Sequence, residues 1–219
     1  MDTTERRLLE VYDLLYSAYG PQRWWPADSA FEVCVGAILT QSTSWANVEK
    51  AIGNLNRENI LSPEGLKTVR ADKLSQLIRS SLYHNVKARK LKEFIRFVDE
   101  EFEGKLERLL ALPLDELRTR LLSVWGIGPE TADSIILYAA EKPSFVVDAY
   151  TKRVFGRLGF LKGGESYGEV KIFFEANLPK KTGLFNEYHA LIVEHAKQKC
   201  KTKPDCLGCA VKSLCSYWK

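Results

Sequence analysis

Residues 121–158 read LLSVWGIGPETADSIILYAAEKPSFVVDAYTKRVFGRL, and this stretch decides the fold of the chain. A helical pattern stops at Gly126-Ile127-Gly128, and a second helix begins at Pro129. Glycines let a backbone turn tightly with positive φ, and proline is favoured as the first residue of a helix. The pattern predicts two helices joined by a hairpin, whose outward-facing amides at a helix N-terminus suit a phosphate.

An aspartate follows the hairpin, after the apolar run Phe145-Val146-Val147. A run of only three apolar residues, with no second such run to pair with it, predicts a buried connecting segment rather than a strand. Asp148 then precedes a helix over 149–158, where an aspartate is most often an N-cap. The same carboxylate is placed to act on the molecule to which the bound phosphate belongs, and the two roles are compatible.

The composition is that of a soluble globular protein. The 219 residues are 45% hydrophobic and 27% charged, which is enough for one or two packed domains. A net charge of +4 permits nucleic-acid binding without requiring it. No apolar run is long enough to span a membrane, and the first twenty residues lack the apolar region of a signal peptide. We therefore expect a cytoplasmic protein, nucleoid-associated if prokaryotic, with no membrane partner.

Helical periodicity runs through nearly the whole chain and predicts an all-α fold. Loops are predicted at residues 63–65, 163–164 and 179, where glycine and proline concentrate. The expected helices cover residues 8–16, 31–39, 45–55, 73–78, 86–102, 114–124, 129–140, 149–158, 167–178 and 185–199.

Four of the five cysteines crowd into the tail, with the spacing C-x5-C-x2-C-x5-C: Cys200, Cys206, Cys209 and Cys215. Four thiolates so close together predict a metal centre, and both a structural zinc ion and an iron–sulfur cluster fit them. Zinc sites more often use two C-x2-C pairs, and only one is present. Lysines surround the ligands and either form a solvated tail or contact phosphates. The fifth cysteine, Cys34, lies in an apolar run and is expected to be buried.

In this order, the hairpin, Asp148 and the cysteine tail resemble the endonuclease III group of helix-hairpin-helix (HhH-GPD) DNA glycosylases. The segments 39–43 (LTQST) and 82–88 (LYHNVKA) are similar to the loops of that family that carry wedge residues. The resemblance covers nearly the whole chain. One departure is the first cysteine spacing, which is one residue shorter than the C-x6-C typical of the family.

The resemblance implies two helical domains: residues 26–138, and residues 1–25 together with 139–219. It implies a 4Fe-4S cluster on the four cysteines, and a monovalent cation at the hairpin is a further candidate ligand. The expected partner is double-stranded DNA with damaged bases, bound by a monomer. Gln41 and Leu82 would then be wedge residues that fill the gap left by a flipped base. Without the resemblance, Gln41 reads as a polar residue at a helix end and Leu82 as a core leucine.

Glu130 is the informative departure inside the hairpin motif. Bifunctional members of the family carry a lysine two residues after the second glycine, and that lysine forms a Schiff base with the sugar. The matching residue here is Glu130, in Gly128-Pro129-Glu130. A carboxylate cannot form an imine, so the resemblance implies a monofunctional glycosylase in which Asp148 assists attack by water. The plainer interpretation of Glu130 is an acid that favours the first turn of a helix.

Three tryptophans, Trp24, Trp25 and Trp45, are candidates for a base pocket. With an acid at Glu130, they resemble the bacterial 3-methyladenine DNA glycosylases of endonuclease III type. An aromatic face attracts a cationic alkylpurine by about 1–2 kcal/mol when both are desolvated. The alternative is that the tryptophans pack a domain interface.

Two other functions remain open at this point. One is a glycosylase for oxidised pyrimidines or mismatched bases, with or without AP lyase activity. The other is a non-catalytic DNA-binding iron–sulfur protein, which would use the hairpin and the cysteines but not Asp148.

Overall fold

The computed structural model describes residues 3–218. That part of the chain contains no β-strand, and the predicted all-α class is confirmed. Residues 1, 2 and 219, which the predicted second domain includes, lie outside the described residues. The α-helices are α1 Thr3–Tyr19, α2 Ala30–Leu39, α3 Trp45–Arg57, α4 Pro63–Thr68, α5 Ala71–Leu77, α6 His84–Phe102, α7 Leu106–Ala111, α8 Leu114–Leu122, α9 Pro129–Ser134, α10 Ala149–Leu158, α11 Tyr167–Asn177 and α12 Thr182–Gln198.

The chain divides into two compact units. The middle unit, residues 27–142, contains α2 to α9, and the terminal unit, residues 3–26 and 143–218, contains α1 and α10 to α12. The predicted domain limits, 26–138 and 1–25 with 139–219, stay a prediction. No described helix is both long and apolar enough to cross a membrane.

Helix α2 forms the centre of the middle unit. Its residues 33–39 are all buried, which is expected of a helix that is apolar on every side. Ser29 caps the helix, since its side chain accepts a hydrogen bond from the Glu32 amide. Cys34 lies in this core as predicted, and burial raises the pKa of its thiol to about 12. Helix α6 packs against α2, α4, α5 and α7.

The predicted loop at residues 63–65 is wrong, because these residues form the first turn of α4. The Ser62 hydroxyl accepts a 3.0 Å hydrogen bond from the Gly65 amide, and Pro63 takes the first helical position. Gly65 serves close packing, since a Cβ there would lie 2.6 Å from the Ile60 carbonyl oxygen. Apolar periodicity does not predict α4 and α7, because their six residues form fewer than two helical turns.

An aromatic cluster forms the core of the terminal unit. The rings of Phe145 and Phe174 stack with their centroids 4.1 Å apart, and Phe185 and Tyr188 meet Phe145 edge-on. Phe145, Val146 and Val147 are at most 1% exposed and form no strand, so the predicted buried connection is confirmed. This anchored segment ends at Asp148, and the packing of Phe145 therefore fixes where the carboxylate of Asp148 lies.

Candidate active site

The hairpin of the middle unit joins α8 to α9. Ile127 is buried and its amide donates to the Val124 carbonyl, which pins the loop to the end of α8. The Arg118 guanidinium donates two hydrogen bonds, of 2.9 and 3.2 Å, to the buried Asp133 carboxylate. A hydrogen-bonded ion pair between the two helices holds the motif as one rigid element.

The two glycines of the hairpin have different conformations. Gly126 has a φ of +90°, as predicted, but Gly128 has a φ of −94° and is the N-cap of α9. The prediction of a positive φ at both glycines is therefore wrong at Gly128, because the chain is already extended where it enters the helix. A Cβ at Gly126 would lie 2.4 Å from Lys90 Cγ, whereas a Cβ at Gly128 would meet nothing within 4 Å.

Replacing Gly126 with Ala is expected to destabilise the protein by about 2–3 kcal/mol, since it combines a left-handed backbone with a clash. Urea denaturation of the intact protein measures the change. Gly128→Ala is the matched control and is expected to cost less than about 1 kcal/mol, because its backbone suits any residue. Equal losses at the two positions would contradict this account of the hairpin.

Gln41, a predicted wedge residue, lies on this hairpin. Its Nε2 donates to the Gly126 carbonyl at 3.1 Å and to Thr131 Oγ1 at 2.8 Å. Its Oε1 accepts a hydrogen bond from Lys90 Nζ. Both amide hydrogens and the oxygen of Gln41 are thus engaged, and the loop after α2 is tied to the hairpin.

Leu82, the other predicted wedge residue, lies in a separate loop. It is 50% exposed with a φ of +60°, so the interpretation as a core leucine is wrong. The next residue, Tyr83, is 70% exposed with a φ of +44°. Positive φ is uncommon outside glycine and is retained where the surroundings enforce it.

Lys87 ties the loop of Leu82 to the end of α2. Its side chain is buried, and its Nζ donates to the carbonyls of Leu39, at 2.8 Å, and of Ser81. Burial lowers the pKa of Lys87 to about 8, with a smaller contribution from Lys90. Lys87 and Lys90 support the two loops that carry Leu82 and Gln41, and the sequence does not single them out because both lie in a helix rich in charged residues.

Asp148, in the terminal unit, is the N-cap of α10. Its Oδ1 accepts hydrogen bonds from the Thr151 amide, at 2.7 Å, and from Thr151 Oγ1, at 2.9 Å. His189 Nε2 lies 3.6 Å from Oδ2, and both side chains are largely buried. Burial alone would raise the pKa of Asp148, but His189 and then Thr151 outweigh it, and the pKa lies below its usual value. His189 gave no signal in the sequence, since a single histidine in an apolar helix is typical of a core.

Glu130 lies exposed in the first turn of α9, two residues after Gly128. The tryptophans divide between the units: Trp24 and Trp25 belong to the terminal unit and Trp45 to the middle unit. The rings of Trp24 and Trp25 meet edge-on, with centroids 5.6 Å apart, and Lys197 Nζ lies 5.8 Å from the centre of the Trp24 ring. Trp45 opens α3, and its Nε1 donates to Glu49.

All four tail cysteines line one small cavity of the terminal unit. Arg157 donates to Cys200 Sγ at 3.3 Å, and His195 Nε2 lies 3.8 Å from Cys209 Sγ. Arg157 also donates to the carbonyls of Lys201 and Thr202, which holds the shortened loop after Cys200. Among the described residues, no three metal-ligating side chains are close enough to share a single ion.

The sequence profile of the HhH-GPD superfamily of base excision DNA repair proteins matches residues 35–180. The chain belongs to this superfamily. The matched segment includes the hairpin, both predicted wedge loops and Asp148, whereas His189 and the four tail cysteines lie outside it.

Known HhH-GPD proteins resemble the chain over most of its length. A candidate DNA repair glycosylase of Methanocaldococcus jannaschii is 49% identical over 95% of each chain. Endonuclease III of Sulfolobus acidocaldarius is 27% identical over 87% of this chain and 83% of its own. The structure of H. pylori 3-methyladenine DNA glycosylase bound to 1,N6-ethenoadenine matches with a TM-score of 0.76 and 29% identity, covering 89% of this chain and 97% of the other. The protein is a DNA glycosylase that acts on N-glycosyl bonds in DNA, so the non-catalytic alternative is wrong.

Proposed function

We propose that this DNA glycosylase is monofunctional and removes alkylated purines such as 3-methyladenine. The observation that carries the proposal is Glu130, which is exposed two residues after the hairpin, where bifunctional members have a lysine. A carboxylate cannot form an imine with the deoxyribose, so water must be the nucleophile. Base release would then leave an intact strand with an abasic site.

Asp148 is the proposed catalytic carboxylate. Breaking the N-glycosidic bond develops positive charge on the sugar, and a fixed carboxylate stabilises that charge. Oδ1 is occupied by Thr151, so Oδ2 is the oxygen that faces the chemistry and accepts a proton from the attacking water. The lowered pKa keeps Asp148 ionised at neutral pH, as this role requires.

The flipped base needs a pocket and a substitute in the DNA stack. We propose that Leu82, whose exposed side chain fits a wedge, fills the gap left by the base, together with Gln41 once it leaves the hairpin.

The hairpin is the proposed phosphate contact, because Gly128 leaves room for a phosphate to approach closely, and a monovalent cation there stays a prediction. Trp24 and Trp25 of the terminal unit and Trp45 of the middle unit stay predicted base contacts. Support for an alkylpurine comes from the H. pylori relative, a 3-methyladenine glycosylase solved with a modified adenine.

The four cysteines are the proposed ligands of a 4Fe-4S cluster. They suit it by chemistry and position, since all four line one cavity. Four cysteine thiolates are the usual donor set of a 4Fe-4S cluster, and four are present here. The cluster would supply covalent closure of the tail, while Arg157 positions the loop between Cys200 and Cys206.

One observation favours a second candidate, a glycosylase for neutral lesions such as oxidised pyrimidines or mismatched bases. Lys197 already places a cation near the Trp24 ring, and a second cation at that ring would be repelled. The Sulfolobus relative named endonuclease III is consistent with this candidate. A lesion panel that contains both cationic and neutral bases separates the two functions.

The expected result for the intact protein is release of 3-methyladenine from methylated duplex DNA without strand cleavage. Base release is followed by chromatography, strand cleavage by electrophoresis before and after hot alkali, and imine formation by borohydride trapping. A bifunctional endonuclease III serves as the trapping control. Efficient trapping would refute the monofunctional mechanism, and release of oxidised pyrimidines but not of methylated purines would establish the second candidate.

A further inference from the structure

The two oxygens of the Asp148 carboxylate have different surroundings. Oδ1 accepts two hydrogen bonds from Thr151 and thereby caps the N-terminus of α10. Oδ2 lies 3.6 Å from His189 Nε2, with 14% of the Asp148 side chain and 8% of the His189 side chain exposed. A carboxylate so deeply buried needs a positive partner, because desolvation otherwise favours its protonated form.

We infer that His189 is a positioning residue for Asp148, whose ring keeps Oδ2 ionised and fixed in direction for the reaction. The inference rests on the proposed role of Asp148. His189 lies on α12, which packs against α10, so the pair joins the helix that Asp148 caps to the helix beside it. A protonated Asp148 could neither stabilise the developing sugar cation nor accept a proton from water.

Five charged or titratable side chains on the neighbouring elements contact groups other than the Asp148 carboxylate. Lys152 of α10 donates to the Glu165 carbonyl, and Arg153 donates to the Cys200 carbonyl. Glu187 of α12 accepts from the Gln22 amide. From α11, the Tyr167 hydroxyl lies 3.5 Å from the Val147 amide, and from α1, Tyr12 packs against Tyr188. His189 is the charged side chain that lowers the pKa of Asp148.

The charges of Asp148 and His189 determine how their ion pair depends on pH. The ion pair forms while Asp148 is ionised and His189 is protonated, and it is lost as the pH falls through the lowered pKa of Asp148. Removing His189 should therefore raise the pH at which Asp148 takes up a proton.

The test is an NMR titration of the intact protein without DNA, with the aspartate carboxyls labelled with ¹³C. We expect His189→Gln to raise the titration midpoint of Asp148 by about one pH unit or more. Glu187→Gln is the matched control on the same helix and should leave that midpoint unchanged. His189→Asn is a second variant at the same position and should raise that midpoint likewise, so the test does not depend on the folding of a single variant.

Turnover gives a second readout that a purely structural role would not move. In His189→Gln, the acid limb of the kcat profile should shift to higher pH by the same amount, with KM for DNA unchanged. An Asp148 midpoint that stays within about 0.3 pH unit of the wild type in both His189 variants would overturn the inference. Failure of the wild type to release any base would instead contradict the proposed function, because the titration needs no substrate.

Discussion

Replacing Asp148 with Asn is expected to slow base release by about 10²–10⁴-fold while the protein stays folded. Asparagine is as good an N-cap as aspartate, and its side-chain oxygen can still accept from the Thr151 amide. It lacks the charge that stabilises the sugar cation and the basicity that accepts a proton from water. Single-turnover kinetics on methylated duplex DNA measures the loss, and the change in Tm should stay within about 3 °C.

Asp148→Ala separates the two functions of this residue. It removes the cap as well as the charge, and we expect it to cost a further 0.5–2 kcal/mol, roughly, of folding free energy. If Asp148→Asn retained the wild-type rate, the carboxylate would be a helix cap only. A large loss of stability in Asp148→Asn would leave the rate uninformative, and the stability of the variant is therefore measured first.

Replacing Glu130 with Lys is expected to produce a borohydride-trapped covalent complex with damaged DNA, which the wild type does not form. The amine would occupy the position from which bifunctional members attack the sugar, and the resulting imine permits strand cleavage. A lysine in the first turn of α9 is unfavourable to the helix dipole by about 0.3–1 kcal/mol, which the fold should tolerate. Gel electrophoresis after trapping measures the covalent fraction.

Glu130→Gln is the control for this experiment. It removes the carboxylate without supplying an amine, so it should neither form a covalent complex nor cut the strand. Trapping by Glu130→Gln or by the wild type would assign the nucleophile to another lysine. Absence of trapping in a folded, DNA-binding Glu130→Lys variant would mean that residue 130 does not reach the sugar.

The sequence predicts the helices and the hairpin well because both depend on local signals. Apolar periodicity indicates where α2 and α6 lie, and Gly126 with Pro129 indicates where one helix ends and the next begins. The prediction fails at residues 63–65, where proline and glycine belong to a helix rather than to a loop. The helix begins here because Ser62 caps its N-terminus, and amino-acid composition alone does not reveal that cap.

The candidate site is less predictable because its supporting contacts are long-range. Lys90 reaches Gln41 across 49 positions of sequence, and no local pattern reports that pairing. His189 follows Asp148 by about forty residues, and only the packing of α12 against α10 brings them together. The spacing from the hairpin predicts Asp148, whereas no sequence pattern predicts the partners that control its ionisation.

The hydrogen bonds of Gln41 have a consequence for how the enzyme searches DNA. Drawing this side chain into a duplex breaks contacts with Gly126, Thr131 and Lys90, each worth about 0.5–1.5 kcal/mol. Inserting Leu82 into DNA does not require breaking such hydrogen bonds, since its side chain is already exposed. If Leu82 and Gln41 are the wedge residues that we propose, the enzyme would probe base stacking along intact DNA with Leu82 and insert Gln41 only where a weakened base pair offsets the lost hydrogen bonds. The speed of scanning and the accuracy of excision would then depend on different loops of the middle unit.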